Sequence, residues 1–253
     1  MPRVLAVVNQ KGGVGKTTTA VNLSAALAQA GRRVLLVDLD PQGNATMGSG
    51  IDKRTATRTV YHALLGLSEL ASIRQRAEKG GYDLVPANRD LAGAEVELVE
   101  LEARETRLKI ALERVAMDYD FILIDCPPSL SLLTVNGLAA AQRVLIPMQC
   151  EYYALEGLSD LVATVKRVRA NLNPQLEIAG LLRTMYDPRN TLSQQVSREL
   201  ETHFGDKVYR TVVPRNVRLA EAPSYGVPAV LWDAGSKGAQ AYVALADEVL
   251  EHP

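Results

Sequence analysis

The chain holds few residues that carry chemistry on their own account. Among 253 residues there are two cysteines, Cys126 and Cys150, and three histidines, His62, His203 and His252. Two thiols make no disulfide framework and fit a reducing, cytoplasmic compartment. The histidines fall in helical or terminal patterns, which leaves no second acid–base pocket of the kind a small-molecule kinase or ligase needs. No stretch of about 18 uninterrupted apolar residues is present, so a transmembrane helix is excluded on length. Met1-Pro2-Arg3 leads straight into an apolar strand and does not read as a removable signal peptide. There is no Pro/Gly/Ser-rich linker, internal repeat or low-complexity segment, and the length suits one large domain over residues 1–253. An excess of one charge is also missing, with 28 Lys and Arg against 29 Asp and Glu. That balance hides an asymmetry: residues 161–218 hold ten basic against five acidic side chains, a local +5 that leaves −6 elsewhere.

What is present is an alternation of short apolar runs with longer helical patterns, the mark of β-α-β units winding a mostly parallel sheet. Strands are expected at Val4–Val8, Val34–Val37, Phe121–Ile124, Val144–Ile146, Ile178–Leu182 and Tyr209–Val213. They are almost continuously apolar, so helices should cover both faces of the sheet, giving a single α/β domain of the P-loop nucleotide-hydrolase class. Helices are expected over Thr17–Ala30, Val60–Leu65, Ala71–Lys79, Leu130–Ala141, Ala154–Asn171, Leu192–Phe204 and Lys237–Glu251, with Leu91–Met117 as one long helix or a broken pair.

The first strand runs into Asn9-Gln10-Lys11-Gly12-Gly13-Val14-Gly15-Lys16-Thr17-Thr18 and then a helical pattern. This strand-loop-helix order is what a phosphate-binding loop requires. The glycines let the backbone curl around phosphates, and N–H groups at the helix start can donate to anionic oxygens. Lys16 is positioned by this pattern to neutralise β and γ oxygens, and the Thr17 hydroxyl to ligate Mg2+. After the second strand, Asp38-Leu39-Asp40-Pro41-Gln42-Gly43-Asn44 sets two carboxylates at the strand's carboxyl end, where open α/β sheets bind ligands. A third apolar strand ends in Asp125-Cys126-Pro127-Pro128, as expected of a Walker-B carboxylate holding Mg2+ through water. No Asn-Lys-x-Asp segment for guanine occurs, so the nucleotide is expected to be ATP.

The glycine that a standard P-loop carries five residues before Gly15 is replaced by Gln10, with Lys11 beside it. The segment Lys11–Thr17 resembles the deviant Walker-A signature Lys-Gly-Gly-x-Gly-Lys-Thr in full. Together with Asp38–Asn44, Asp125–Ser129 and Val213–Gly226, the chain from Arg3 to about Leu250 resembles the ParA/Soj partition ATPases. The resemblance implies an ATP-sandwich homodimer in which Lys11 reaches the partner's nucleotide, with Asp40 positioning the hydrolytic water. By the same match Lys11, Lys16 and Asp40 are catalytic, and Thr17, Asp40 and Asp125 serve the metal. Gly12, Gly13, Val14, Gly15 and Thr18 hold phosphates, while Pro214, Arg215 and Asn216 hold adenine. It further implies nonspecific double-stranded DNA binding by the ATP dimer, release after hydrolysis stimulated by a ParB-type centromere-binding partner, and nucleoid association. Arg189, Arg215, Arg218 and Lys237 are the candidate DNA contacts, on charge and position. An amino-terminal operator-binding domain, found in longer plasmid relatives, is not expected.

The wider superfamily offers alternatives that do not act on DNA. MinD-like membrane switches end in a basic amphipathic helix, whereas the Val243–Pro253 segment is acidic on its polar positions and would be repelled by anionic lipid. Nitrogenase-iron-protein-like reductases share a cluster between cysteines; Cys126 and Cys150 read instead as buried small hydrophobes.

Overall fold

A computed structural model describes residues 2–251; the terminal residues, His252 among them, lie outside the described part. The strands are β1 Arg3–Val7, β2 Val34–Asp38, β3 Gln75–Ala77, β4 Tyr82–Val85, β5 Phe121–Asp125, β6 Arg143–Gln149, β7 Glu177–Tyr186 and β8 Val208–Pro214. They form one sheet in the order β3-β4-β2-β5-β1-β6-β7-β8, parallel throughout except for the β3–β4 pairing. The helices are α1 Lys16–Gln29, α2 Asn44–Gly48, α3 Val60–Leu64, α4 Leu70–Ile73, α5 Leu91–Glu97 and α6 Arg107–Glu113, followed by α7 Leu132–Ala140, α8 Ala154–Asn171, α9 Thr191–Phe204, α10 Val217–Glu221, α11 Ala229–Trp232 and α12 Lys237–Glu251. No described helix is long and apolar enough to cross a membrane.

Both sheet faces are covered, as the continuous apolar strands demand. Along β1 and just beyond it, Val4, Ala6 and Val8 point into one core with Leu35, Val37, Ile122 and Ile124, while Leu5 and Val7 point into a second with Leu23, Leu27 and Tyr242. This alternation of faces is the two-residue period of a strand. Because β1 is central and its neighbours are parallel, the loops after β1, β2, β5, β6, β7 and β8 all emerge at one edge.

One expected helix fails, and an open alternative is decided, each for a local reason. The helix expected over Ala71–Lys79 stops at Ile73; Arg74 is extended, and Gln75–Ala77 pair antiparallel with Tyr82–Val85 as an edge hairpin. Gly80 and Gly81 close that hairpin, with Gly81 at φ +73° and Gly80 flush against the Tyr82 ring. The strand Tyr82–Val85 is absent from the expected set because four residues after a double glycine carry little periodicity. The Leu91–Met117 run is a broken pair, interrupted at Ala103, whose φ is +53°. Buried Asn136 stitches the break: its side chain accepts from the Leu108 N–H and donates to the Arg104 carbonyl.

One close approach ties the segment after β2 to the carboxyl-terminal block. At Gly226, φ +60°, an added Cβ would lie 2.8 Å from the Gly50 Cα. Gly226→Ala is expected to lower unfolding free energy by about 2 kcal/mol through backbone strain and collision. Urea denaturation measures it; a drop below about 0.5 kcal/mol contradicts the close approach.

Candidate nucleotide site

The loop after β1 is shaped from both ends. The Asn9 side chain accepts from the Lys11 N–H at 2.9 Å and donates to the Pro147 carbonyl at 2.8 Å, which anchors the loop's start to β6. At its end, the Gly15 carbonyl accepts the first helical bond, from the Thr19 N–H at 2.8 Å. Gly13 and Gly15 sit at φ +74° and +88°, a region costly for other residues, and an added Cβ on Gly12 or Gly13 would meet nothing within 4 Å. The curl is therefore open on one side, as a phosphate cradle must be.

The two lysines of the loop face different ways. Lys16 is buried and its Nζ donates to the Lys11 carbonyl at 3.0 Å, across the mouth of the curl. Burial holds its ammonium below the usual lysine range, opposed by the charges of Asp125 and Asp40. Lys11 points outward, half exposed, in an ion pair with Glu151.

Asp38, Asp40 and Asp125 converge beside Lys16, because parallel pairing sets Asp38 opposite Asp125 at the ends of β2 and β5. Their environments differ. Asp38 is fully consumed: it accepts from the Thr46 N–H and hydroxyl at 2.8 and 2.7 Å and from the Asp40 N–H at 3.2 Å, so it holds the start of α2. Even so, burial pushes its carboxyl up to about 6. Asp40 accepts from the Gln42 N–H at 2.8 Å and is almost buried. Asp125 is completely buried, and neither carboxylate oxygen has a partner in hydrogen-bond geometry. Burial, then the charge of Asp38, raises it well above the usual carboxylate range, with the nearby Thr17 hydroxyl and Lys16 pulling the other way.

An unpartnered buried carboxylate beside a hydroxyl is what a divalent cation would satisfy. Among the described residues no group of three or more His, Cys, Asp or Glu is arranged to hold an ion by itself. Mg2+ takes one or two protein ligands and completes its shell with phosphate oxygens and water.

Beyond the loop, Pro214, Arg215 and Asn216 line a cavity of about 320 Å³ together with Gly15, Thr18, Thr184, Met185 and Tyr242. The structure thus brings the residues expected around adenine onto the phosphate loop. Sequence reading missed Thr184 and Met185 at the end of β7; Met185 has φ +48°, rare for a side chain of its kind. Only the loop-facing end of a strand hinted at them.

The candidate DNA contacts lie on this same edge but are unequal. Arg218 is shared by Glu221 at 3.0 Å and Asp233 at 3.2 Å and lies over the Trp232 ring. Arg189 pairs with Asp187 at 2.9 Å. Arg215 and Lys237 have no ion pair among the described residues. The basic excess over 161–218 is not one patch in space: Lys166, Arg167 and Arg169 sit in the later half of α8 and Lys207 before β8, toward the opposite edge, while Arg183 is buried against Ser197, Glu201 and the Tyr209 carbonyl. Cys126 and Cys150 are buried and free, and burial pushes the Cys150 thiol up to about 11.

The AAA domain family model matches residues 2–178. The chain is 55% identical to the sporulation initiation inhibitor protein Soj of Bacillus subtilis over 249 residues, 98% of each chain. It is 53% identical to the chromosome partitioning protein ParA of Caulobacter vibrioides, over 98% of this chain and 94% of that one. Among solved structures, cobyrinic acid a,c-diamide synthase from Mycobacterium smegmatis with bound ADP and magnesium superposes with a TM-score of 0.88 at 43% identity, covering 100% of this chain and 95% of that one.

Asp125→Asn tests the charge assignment. A carboxyl whose folded pKa is raised costs stability when ionised; the cost is complete above the folded value, fades as pH falls below it, and is gone below the ordinary carboxylate value of the unfolded chain. The variant is expected to melt higher than wild type without ligand at neutral pH, with the difference shrinking as pH is lowered toward the ordinary carboxylate range, and to gain less from Mg-nucleotide. A lower ligand-free melting temperature at neutral pH contradicts uncompensated charge at this position.

Proposed function

The chain belongs to the ParA/Soj family of chromosome-partitioning ATPases, and from that premise we propose that it is an Mg-ATP-driven DNA-partition switch whose ATP-bound dimer holds double-stranded DNA nonspecifically and lets go after hydrolysis. The observation that carries the reading is the division of labour between the two loop lysines. Lys16 lies across its own loop, bonded to the Lys11 carbonyl, so it is the lysine that serves its own nucleotide, while Lys11, outside and half exposed, serves the nucleotide of a second copy. Leu130, Tyr152, Tyr153, Leu192 and Val217 are exposed and follow β5, β6, β7 and β8, at the same edge as the loop. An apolar surface of this kind at a ligand edge favours burial against a partner.

In the proposed cycle, Lys16 and the loop N–H groups bind the triphosphate, and Thr17 and Asp125 would hold a Mg2+ ion, which would supply positive charge against the phosphoryl oxygens. Asp40, held by the Gln42 N–H, orients the attacking water. Pro214, Arg215 and Asn216 clamp the base. Pairing of two copies doubles the cations presented by Arg189, Arg215, Arg218 and Lys237, which raises affinity for a polyanion without base contacts. A ParB-type partner that accelerates hydrolysis then releases the dimer from the nucleoid.

DNA retention with Mg-ATP against Mg-ADP over a salt series tests the whole reading. Wild type is expected to bind only with ATP, and Arg218→Glu to reduce the salt slope by about one for each phosphate no longer neutralised. Asp40→Ala should stay on DNA as an ATP dimer, and Lys11→Ala should remain monomeric with a non-hydrolysable analogue. Equal DNA binding in ADP, or turnover that depends on a small carboxylic acid acceptor instead of DNA, overturns the proposal.

A further inference from the structure

The outer side of the phosphate loop is gripped by the ends of β6 and β7. The Thr184 hydroxyl donates to the Val14 carbonyl at 2.7 Å in a buried contact, and Thr184 is itself 2% exposed. Its methyl group would lie 3.8 Å from a Cβ on Gly15. Gln149, the last residue of β6, reaches the neighbouring Gly13 carbonyl at 3.5 Å and contacts the Met185 thioether. Two successive carbonyls of the loop are thus turned outward by side chains from the sheet.

Holding a carbonyl also aims the amide bonded to it, because the C=O and N–H of a planar trans peptide point in opposite directions. With the Val14 carbonyl held by Thr184, the Gly15 N–H must point away from β7. With the Gly13 carbonyl turned toward Gln149, the Val14 N–H points away from β6. These are the N–H groups at the start of α1, where an anion is received.

Resting on the nucleotide reading above, we infer that Thr184 is a positioning residue for the phosphate cradle: it fixes the peptide plane that presents the Gly15 N–H to phosphate. Thr184 also lines the base cavity with Met185 and Pro214. One side chain on a rigid strand therefore joins the base pocket to the phosphate loop, and Gln149 supports the next peptide in a weaker geometry. Met185, the next residue, has a positive φ at the point where the register between β7 and β8 shifts.

Thr184→Val keeps the shape and removes the donor; Thr184→Ser keeps the donor. Affinities for Mg-ATP and, by competition, for tripolyphosphate, which has no base, are measured by titration calorimetry alongside melting curves. The valine variant is expected to bind both ligands about tenfold more weakly, with Ser close to wild type. If valine disturbs folding, Thr184→Ala removes the same hydroxyl without a new methyl group and must show the same weakening. Tripolyphosphate affinity unchanged in Val and Ala, or Ser as weak as Val, overturns the inference alone. A wild-type chain that binds no Mg-ATP overturns the nucleotide reading and this inference with it.

Discussion

Unbalanced negative charge at the ends of β2 and β5 is the constraint around which the site is organised. Parallel register forces Asp38 and Asp125 side by side, Asp40 follows two residues later, and only Lys16 among nearby cations is buried with them. Asp38 is quieted by the first residues of α2, whereas the Asp125 oxygens have no hydrogen-bond partner and their burial is offset in part by the nearby Thr17 hydroxyl and Lys16. A bare triphosphate could not be brought to this place, because it would add anionic oxygens to carboxylates that already repel one another. The loop N–H groups and Lys16 offset part of that repulsion, and a divalent cation held near Asp125 would offset the rest. Cation dependence is thus built into the strand ends before any nucleotide arrives.

One of these carboxylates, Asp38, also ties down the segment after β2. Asp38 holds Thr46, whose hydroxyl in turn accepts from the Ala87 N–H at 2.9 Å at the end of β4. Further along, the Gly50–Gly226 contact seats this segment on the block that begins with the base-cavity residues and contains Arg218. A short run of bonded and packed backbone therefore joins Asp38 to the block that carries Arg218.

The sheet and the loop were legible because they rest on strong local patterns. Continuous apolar strands announce a doubly covered parallel sheet, and Gly-Gly-x-Gly-Lys-Thr after a strand announces a phosphate cradle. Asp40 and Asp125 stand out in the sequence as carboxylates at strand ends, whereas Pro214 and Asn216 rest on the family resemblance alone. What escaped depends on tertiary contact. Four-residue β4 has too few positions to display a period, and the β3 segment shares its composition with a helix. Thr184 is an ordinary strand threonine until β7 is set against the loop, and Asp38 is indistinguishable from Asp40 in sequence although one is consumed by α2 and the other faces the site.

Charge makes the sharpest contrast between chain order and space. Ten basic residues gathered within 161–218 invite the picture of a single patch, yet helix α8 carries three of them toward the far edge and Arg183 is enclosed. Of the four cations left on the nucleotide edge as candidates, Arg189 and Arg218 are already engaged by carboxylates. One copy therefore presents little free positive charge there, and its affinity for DNA should be weak at ordinary salt, where each neutralised phosphate counts through counterion release. In the proposed dimer the same few cations occur twice on a continuous polyanion, and the gain is multiplicative because the second set acts at high effective concentration. Weakness of the single copy is then what makes nucleotide control possible: a surface that bound DNA well alone would be indifferent to whether ATP had joined it to another.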